Sequence, residues 1–509
     1  MSSRTTGQAV SEIRSIASSV RKEAKRVVGR LQRQKRVTGE SSVNMDSLPL
    51  ELLARIMGFL RWEDILNLRT CSRNLQAATN ERSVWASILE NGCGTTFPRP
   101  FYLPKSIQHC STKDLERAIR GWGAGLNDHP TPHFEIFPLS EAYVQGNNPL
   151  SPLGPLPGGR FFLYATWEGD IWCHDSNPTS SDSESPTQLL FPTPVPESRL
   201  YEAHVAFDVL MPRSDSTLGE DSLIFPKEFN LIITRCYGHD LDRVNSIEVW
   251  HLEPLHGSEG ELARFSATRL AVFREEPVVE IGNCAILGKY VAYTMDGDHL
   301  DSFSCFVIVD WTTTPPGSTV FPRVFVPDVR GKILVLLPGK RIAAMQTSFR
   351  IWDWGRDCPR STFLSSVQQI ARVTAAWKTT LERPFELHSV TPFLMHDSIR
   401  IVTPTSAGLF GVIIPLSRDD IPPLEPEMIR LVPGKHRLSG LPHCQGYGYR
   451  RGVFLGTPNI VLRYSWPEDT DEVLKWRSVL HLPPFRFTPQ YFSFDEISNR
   501  VSLFDDRTT

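Results

Sequence analysis

The feature that most constrains the fold is a weak internal repeat of β-hairpins in the second half of the chain. The second strand of each hairpin ends near an aromatic residue or an aspartate. These strands lie at residues 169–172, 246–250, 306–311, 349–353, 461–464 and 501–505. A seventh hairpin, 399–402 with 409–414, lacks the aromatic end. Seven units over residues 159–509 average about 50 residues, a period that indicates an array of small repeated sheets.

This repeat resembles a degenerate WD-repeat β-propeller. Trp352-Asp353 keeps the ending for which such blades are named, although the Gly-His element that normally begins a blade is missing. The resemblance implies an all-β domain of about seven blades over residues 134–509; six or eight blades, or a pair of β-sandwiches, stay open. Aromatic residues at the repeated position are expected to pack between neighbouring sheets. They are Trp172, Trp250, Trp311, Trp352 and Trp354.

Two segments interrupt the hairpins, and a third precedes them. Residues 176–198 are rich in Ser and Pro, which predicts a disordered insertion. Apolar residues with helical spacing predict an inserted helix over 362–381. Before the β domain, the Ser111-x-x-Asp114 pattern predicts the cap of a short helix within a connector over 91–133.

Residues 45–89 are strongly apolar, with 23 of 45 residues hydrophobic against 40% for the whole chain. Ser47 and Pro49 are typical of a helix start, and Glu63 favours the start of a second helix. A final short helix is expected to carry Trp85. A unit this small buries only about 60% of its chain surface. One apolar stripe of its first helix is therefore expected to face a partner or another domain.

Residues 45–90 resemble an F-box. The stretch combines Leu48-Pro49, a helix, an acidic turn, the Cys71-Ser-Arg73 helix and a final Trp, while Thr70 and Leu75 depart from the family pattern. The resemblance implies docking on the Skp-type linker subunit of Skp–cullin–F-box ubiquitin ligases. The family's contact positions correspond to Leu48, Pro49, Leu52, Leu53, Ile56, Phe59, Leu60, Ile65, Leu66 and Trp85.

The first 44 residues are basic, although the whole chain has a net charge of only −3. Ten Lys/Arg and three Glu give residues 1–45 a net charge of +7. Apolar residues at three- and four-residue steps predict an amphipathic helix over 9–37, followed by a polar linker. A bipartite nuclear import signal, contact with an acidic membrane surface and a plain solvated tail are all compatible with it. The import pattern would use Arg21, Lys22, Arg33, Lys35 and Arg36.

Several classes of function have no support in the sequence. The nine cysteines form no C-x-x-C pair, so no metal site is predicted, and their odd number fits reduced thiols in the cytoplasm or nucleus. No catalytic motif or cofactor-binding loop is present, and no nucleic-acid partner is expected. No apolar run approaches the ~20 residues that span a bilayer.

The sequence thus predicts a multidomain α plus all-β protein: a basic segment (1–44), a helical F-box (45–90), a connector (91–133) and a β-propeller-like domain (134–509). The expected function is a non-catalytic substrate receptor. Its F-box binds the Skp-type linker, and through it cullin, and its β domain binds an unidentified target protein. Two alternatives remain: an F-box scaffold outside any ligase, and a ligand-binding propeller with an appended F-box.

Overall fold

The structure is a computed structural model that divides into two compact units, Met1–Ile88 and Leu89–Thr509. The residues that it describes are 48–92, 97–98, 103, 105–123, 133–138, 149–156, 160–166, 168–175, 187–192, 200–208, 228–238, 242–257, 262–297, 304–327, 333–345, 348–362, 373–381, 391–405, 408–416, 425–433, 445–454, 460–467, 479–481, 491–496 and 500–505. The predicted basic helix lies outside them.

The first unit is helical. Its helices are α1 (Leu50–Met57), α2 (Trp62–Arg69), α3 (Arg73–Thr79) and the start of α4 (Arg82–Gly92). Helix α3 contacts both α1 and α2. Buried apolar side chains from all four helices form the interior, because a small helical unit must pool its apolar faces to exclude water. They are Leu53, Met57, Ile65, Leu75, Ala78, Val84 and Trp85.

Two local features fix the helical packing. The Ser72 hydroxyl caps α3 by accepting a hydrogen bond from the backbone N–H of Leu75 at 3.1 Å. Gly58 ends α1 where a Cβ atom would lie 2.8 Å from the Cβ of Ser87, so a glycine allows α1 and α4 to approach closely. Leu75 departs from the family pattern but is buried, and therefore serves as a core residue of α3.

The connector contains a 3₁₀ helix (Ile107–His109) and α5 (Thr112–Gly123). The predicted cap is confirmed: Oδ2 of Asp114 accepts hydrogen bonds from the backbone N–H (3.0 Å) and hydroxyl (2.7 Å) of Ser111. The Ser111 hydroxyl in turn accepts the Asp114 N–H at 3.2 Å. These hydrogen bonds to Ser111, the side-chain bond first, lower the pKa of the Asp114 carboxyl.

The β domain is a propeller-like arrangement of six blades. Blade 1 contains β2 (Pro149–Pro155), β3 (Phe161–Thr166), β4 (Ile171–Asp175) and β5 (Thr187–Leu190); blade 2 contains β6 (Leu200–Phe207), β7 (Phe229–Tyr237), β8 (Val244–His256) and β9 (Leu262–Glu275). Blade 3 contains β10 (Val279–Leu287), β11 (Tyr290–Gly297), β12 (Ser304–Asp310), β13 (Arg323–Pro327) and β17 (Arg360–Ser361). Blade 4 contains β14 (Ile333–Leu337), β15 (Arg341–Met345), β16 (Ser348–Asp353) and β18 (Trp377–Thr380). Blade 5 contains β19 (Phe393–Leu394), β20 (Ser398–Thr405), β21 (Gly408–Pro415) and β22 (Glu427–Pro433); blade 6 contains β23 (Gln445–Tyr447), β24 (Arg451–Phe454), β25 (Ile460–Arg463) and β26 (Val479–His481).

A smaller sheet joins strands from the two ends of this domain. Strand β1 (His133–Pro138) pairs in parallel with β28 (Arg500–Asp505), which pairs antiparallel with β27 (Tyr491–Asp495). Strand β27 contacts β23 of blade 6 and β2 of blade 1. The described part of the chain therefore has six blades of four or five strands and one three-stranded sheet. This corrects the predicted number of about seven blades, since the last predicted hairpin belongs to the smaller sheet.

Two predicted interruptions are also corrected. Within residues 176–198, Thr187–Leu190 forms β5, which pairs with β4 as the fourth strand of blade 1. Within residues 362–381, Trp377–Thr380 forms β18, which pairs with β16, so the predicted helix is wrong at these four residues. Short β segments of this kind lack a strong alternation of apolar and polar residues, so sheet pairing decides their structure. A short helix, α6 (Trp354–Asp357), and a 3₁₀ helix (Trp311–Thr313) follow β16 and β12.

The core of the propeller lies between neighbouring blades. Apolar clusters join blade 1 to blade 2, blade 2 to blade 3, and blade 3 to blades 4 and 5. Of the predicted core tryptophans, Trp250, Trp352 and Trp354 are buried, whereas Trp172 and Trp311 are half-buried. The repeated aromatic position is therefore a core position in some blades and a core edge in others.

A buried ion pair also joins blades 2 and 3. The Arg323 guanidinium donates hydrogen bonds of 2.9 and 2.8 Å to the two carboxylate oxygens of Glu275, which also accepts one from the Tyr293 hydroxyl. Arg323 belongs to β13 and Glu275 to β9, so the pair ties two sheets together. Burial raises the pKa of Tyr293 well above its usual value, and the Glu275 charge raises it further.

Candidate functional site

An apolar stripe on α1 is exposed to solvent. Leu52 is 49% exposed, Ile56 42% and Phe59, just beyond the end of α1, 74%. Positions i and i+4 share one helical face, and Phe59 continues it past the last turn. Because exposing three large apolar side chains together is unfavourable in water, this stripe is the candidate docking surface of the helical unit.

The ten predicted contact residues divide into three groups by burial. Pro49, Leu52, Ile56 and Phe59 are exposed; Leu48, Leu60 and Leu66 are half-buried; Leu53, Ile65 and Trp85 are completely buried. The first group is directly available to a partner, and the second is partly accessible. The buried side chains cannot contact a partner without rearrangement of the unit, so they support the surface from inside.

Trp85 holds the last three helices of the unit together. Its indole N–H donates a 2.8 Å hydrogen bond to the carbonyl of Thr79 at the end of α3. The Arg69 side chain, from α2, lies over the indole at 5.7 Å and donates a 3.2 Å hydrogen bond to the Thr79 hydroxyl. The tryptophan that completes the motif therefore positions α4 through its own hydrogen bond and packing.

The proposed targeting residues Arg21, Lys22, Arg33, Lys35 and Arg36 lie outside the described residues, and their role stays a prediction. No helix in the described part of the chain has the length and apolar character to cross a bilayer.

A second group of side chains that can bind a ligand lies on blade 2. Among the described residues, Glu228, His251 and Glu253 bring three metal-ligating atoms within 4.8 Å of one another. The sequence reasoning missed this group because the first ligand lies 23 residues from the second. A search for closely spaced motifs does not detect ligands that only strand pairing brings together.

Comparison with known families agrees with the helical geometry. Residues 45–91, less than a tenth of the chain, match a family model described as F-box-like. Residues 45–91 therefore form an F-box-like module, and the chain continues into a propeller-like domain. No curated protein matches the chain.

Comparison with solved structures gives only distant similarities. Raptor from Chaetomium thermophilum has a TM-score of 0.32 and 13% identity; the match covers 93% of this chain and 39% of the Raptor chain. Hsv2 from Kluyveromyces lactis has a TM-score of 0.24 and 8% identity, with 64% of this chain and 94% of Hsv2 covered. At these scores neither similarity supports a statement about function.

Proposed function

We propose that this protein is the substrate-recognition adaptor of a Skp–cullin–F-box ubiquitin ligase. The F-box binds the Skp-type linker subunit, and the propeller-like domain binds a target protein. The adaptor is not an enzyme: it raises the effective concentration of the target beside a ubiquitin-carrying enzyme, as a tether does. It acts in the cytoplasm or nucleus, where the linker subunit and cullin would be its partners.

The exposed stripe of α1 is the observation that supports this proposal best. F-box domains generally bind Skp-type partners, and Leu52, Ile56 and Phe59 offer the apolar area that such a contact would bury. Apolar and aromatic side chains near the centre of an interface commonly contribute most of its binding energy. The propeller-like domain has a large surface of its own, which we assign to the target protein.

The test is to measure linker binding by the full-length chain after single substitutions in the stripe. Leu52→Ala and Phe59→Ala are each expected to weaken binding by about 2 kcal/mol, roughly 30-fold. Because both side chains are exposed, the melting temperature is expected to stay unchanged. Isothermal titration calorimetry with the purified Skp-type linker gives the affinity, and circular dichroism gives the melting temperature.

Two variants serve as matched controls. Gln76→Ala changes an exposed residue outside the predicted contact set and should leave both measurements unchanged. Leu53→Ala removes a buried side chain beside Leu52 and is expected to lower stability by about 2–5 kcal/mol.

Linker binding that is unaffected by Leu52→Ala and Phe59→Ala would contradict the proposed docking surface. Binding of linker without recruitment of cullin would favour a scaffold outside the ligase.

A further inference from the structure

Four side chains converge on one face of blade 2. Strand pairing places Asn230 of β7 opposite His251 of β8. Glu228 lies two residues before Asn230, and Glu253 lies two residues after His251, so strand alternation turns all four toward the same face. On the opposite face, the neighbouring pair Phe229 and Leu252 is buried. The cluster therefore stands on a well-packed part of the sheet.

The hydrogen bond to Asn230 determines which nitrogen of the His251 ring carries a proton. Nδ1 of His251 lies 2.9 Å from the Oδ1 atom of Asn230, which only accepts hydrogen bonds, so Nδ1 carries a proton. In a neutral imidazole the lone pair is then on Nε2. A hydrogen bond from the other ring nitrogen is also the usual way in which proteins orient a metal-binding histidine.

Nε2 of His251 points at two carboxylates. It lies 3.1 Å from Oε2 of Glu228 and 3.5 Å from Oε1 of Glu253. A lone pair facing two anionic oxygens is repelled, so a positive charge is needed between them. A proton on Nε2 would reach only the nearer carboxylate, at 3.1 Å, within the ~2.7–3.2 Å range of ordinary N–H···O hydrogen bonds.

The distances fit a divalent metal ion. Zn²⁺ binds imidazole nitrogen and carboxylate oxygen at about 2.0–2.2 Å, and tetrahedral geometry then separates the ligand atoms by roughly 3.4 Å. The three atoms here lie within 4.8 Å of one another. His251 and Glu228 are partly shielded from water, with side-chain exposures of 16% and 29%, while Glu253 is 58% exposed and leaves access from solvent.

We propose that His251, Glu228 and Glu253 form a binding site for a divalent transition-metal ion, with Zn²⁺ the best match to one imidazole and two carboxylates. Asn230 is the residue that positions His251. Three protein ligands leave a fourth tetrahedral position for water or for an oxygen atom of another molecule. The site is independent of the docking function assigned to α1.

The experiment measures Zn²⁺ binding by the full-length chain after treatment with a chelator. Isothermal titration calorimetry at pH 7.5 is expected to show one site per chain that disappears in His251→Gln. Glu253→Gln is expected to weaken that site by at least about tenfold, and Asn230→Ala by about 10–100-fold, the usual effect of removing an orienting partner. His256→Gln, which changes an exposed histidine at the end of the same strand, is the matched control and should bind as the wild type does.

Two results would overturn the proposal. Zn²⁺ binding with equal affinity and stoichiometry in wild type, His251→Gln and Glu253→Gln would mean that other groups hold the ion. An absence of saturable binding in the wild type would mean that His251, Glu228 and Glu253 do not bind the ion. Glu253→Gln keeps the test valid if His251→Gln fails to fold, because Glu253 is on the surface.

Discussion

At the scale of single residues, Tyr237 shows how blades 1 and 2 depend on one another. Its hydroxyl accepts a hydrogen bond from Arg235, which also donates a 2.5 Å bond to Glu248 and a 3.3 Å bond to the carbonyl of Gly169 in the β3–β4 turn. Gly169 has a φ of +87°, and a Cβ atom there would collide with the Tyr237 hydroxyl. Glycine is therefore required both by the turn and by its neighbour across the blade boundary.

This network predicts a loss of stability at alkaline pH. Burial raises the pKa of Tyr237 to about 12, above its ordinary value of 10.0. The folded protein therefore keeps a proton that the unfolded chain releases, so the free energy of unfolding should fall as the pH rises from about 10 to 12. Tyr237→Phe should make that fall shallower. Urea unfolding at several pH values measures it, and an identical pH dependence in both proteins would contradict the assignment.

Adjacent residues of α1 show where prediction from a motif stops. Leu52 is 49% exposed and Leu53 is completely buried, because consecutive residues of an α-helix point about 100° apart. The F-box motif names both as contact positions. A sequence motif shows which side chains are required. It does not distinguish side chains that contact a partner from buried side chains that support the contact surface. The burial of each side chain in the structure makes that distinction, as it does for Trp85.

At the scale of secondary-structure elements, α5 packs against blade 6 through aromatic side chains. The rings of Trp122 and Tyr449 stack with centroids 5.8 Å apart, and Tyr449 stacks on Trp466 at 5.4 Å. The Arg400 guanidinium lies 5.0 Å from the Trp466 ring, and that of Arg450 lies 5.5 Å from the Trp122 ring. Such contacts hold the connector helix on the propeller-like domain.

We expect Trp122→Ala to release α5 from this surface. Removing a buried tryptophan commonly lowers stability by about 3–5 kcal/mol. Hydrogen exchange of residues 112–123 should become faster, whereas Trp122→Phe, which keeps an aromatic ring, should retain most of the protection. Unchanged exchange in the alanine variant would show that other contacts hold the helix.

The secondary structure is predicted correctly where the hairpin pattern repeats. All seven predicted hairpins contain strands, because alternating apolar residues in a sheet satisfy both burial and backbone hydrogen bonding. The segment that contains β5 is predicted to be disordered because it is rich in Ser and Pro. The segment that contains β18 is predicted to be helical because its apolar residues have helical spacing. In both cases an existing blade offers an unpaired edge, and pairing with that edge outweighs the local preference.

At the scale of the whole molecule, the three-stranded sheet closes the array. It joins β1, from before the first blade, to β27 and β28, from after the last. Closure removes strand edges that would otherwise pair with other chains. The sequence predicts an array of hairpins but gives no signal for this partnership, because β1 and β28 lie more than 360 residues apart and pair in parallel. The choice between six and seven blades depended on this long-range pairing.

Removing β28 tests the importance of closure. A chain ending at residue 499 should unfold at a lower temperature than the full-length chain and aggregate, because the edges of β1 and β27 become unpaired. A chain ending at residue 505 keeps β28 and is the matched control. Size-exclusion chromatography and thermal unfolding compare the two. Equal behaviour of both truncated proteins would mean that the six blades are stable without the smaller sheet.

The distance between β1 and β28 also has a consequence for synthesis on the ribosome. Translation at about 5–20 residues per second separates the appearance of these strands by roughly 20–70 seconds. Helix formation takes only microseconds, so the short F-box helices can form long before β28 exists. During most of its synthesis, each new molecule therefore has folded F-box helices, while its blades are not yet closed by the pairing of β1 with β28. Partners or chaperones that engage the nascent chain would meet it in that order.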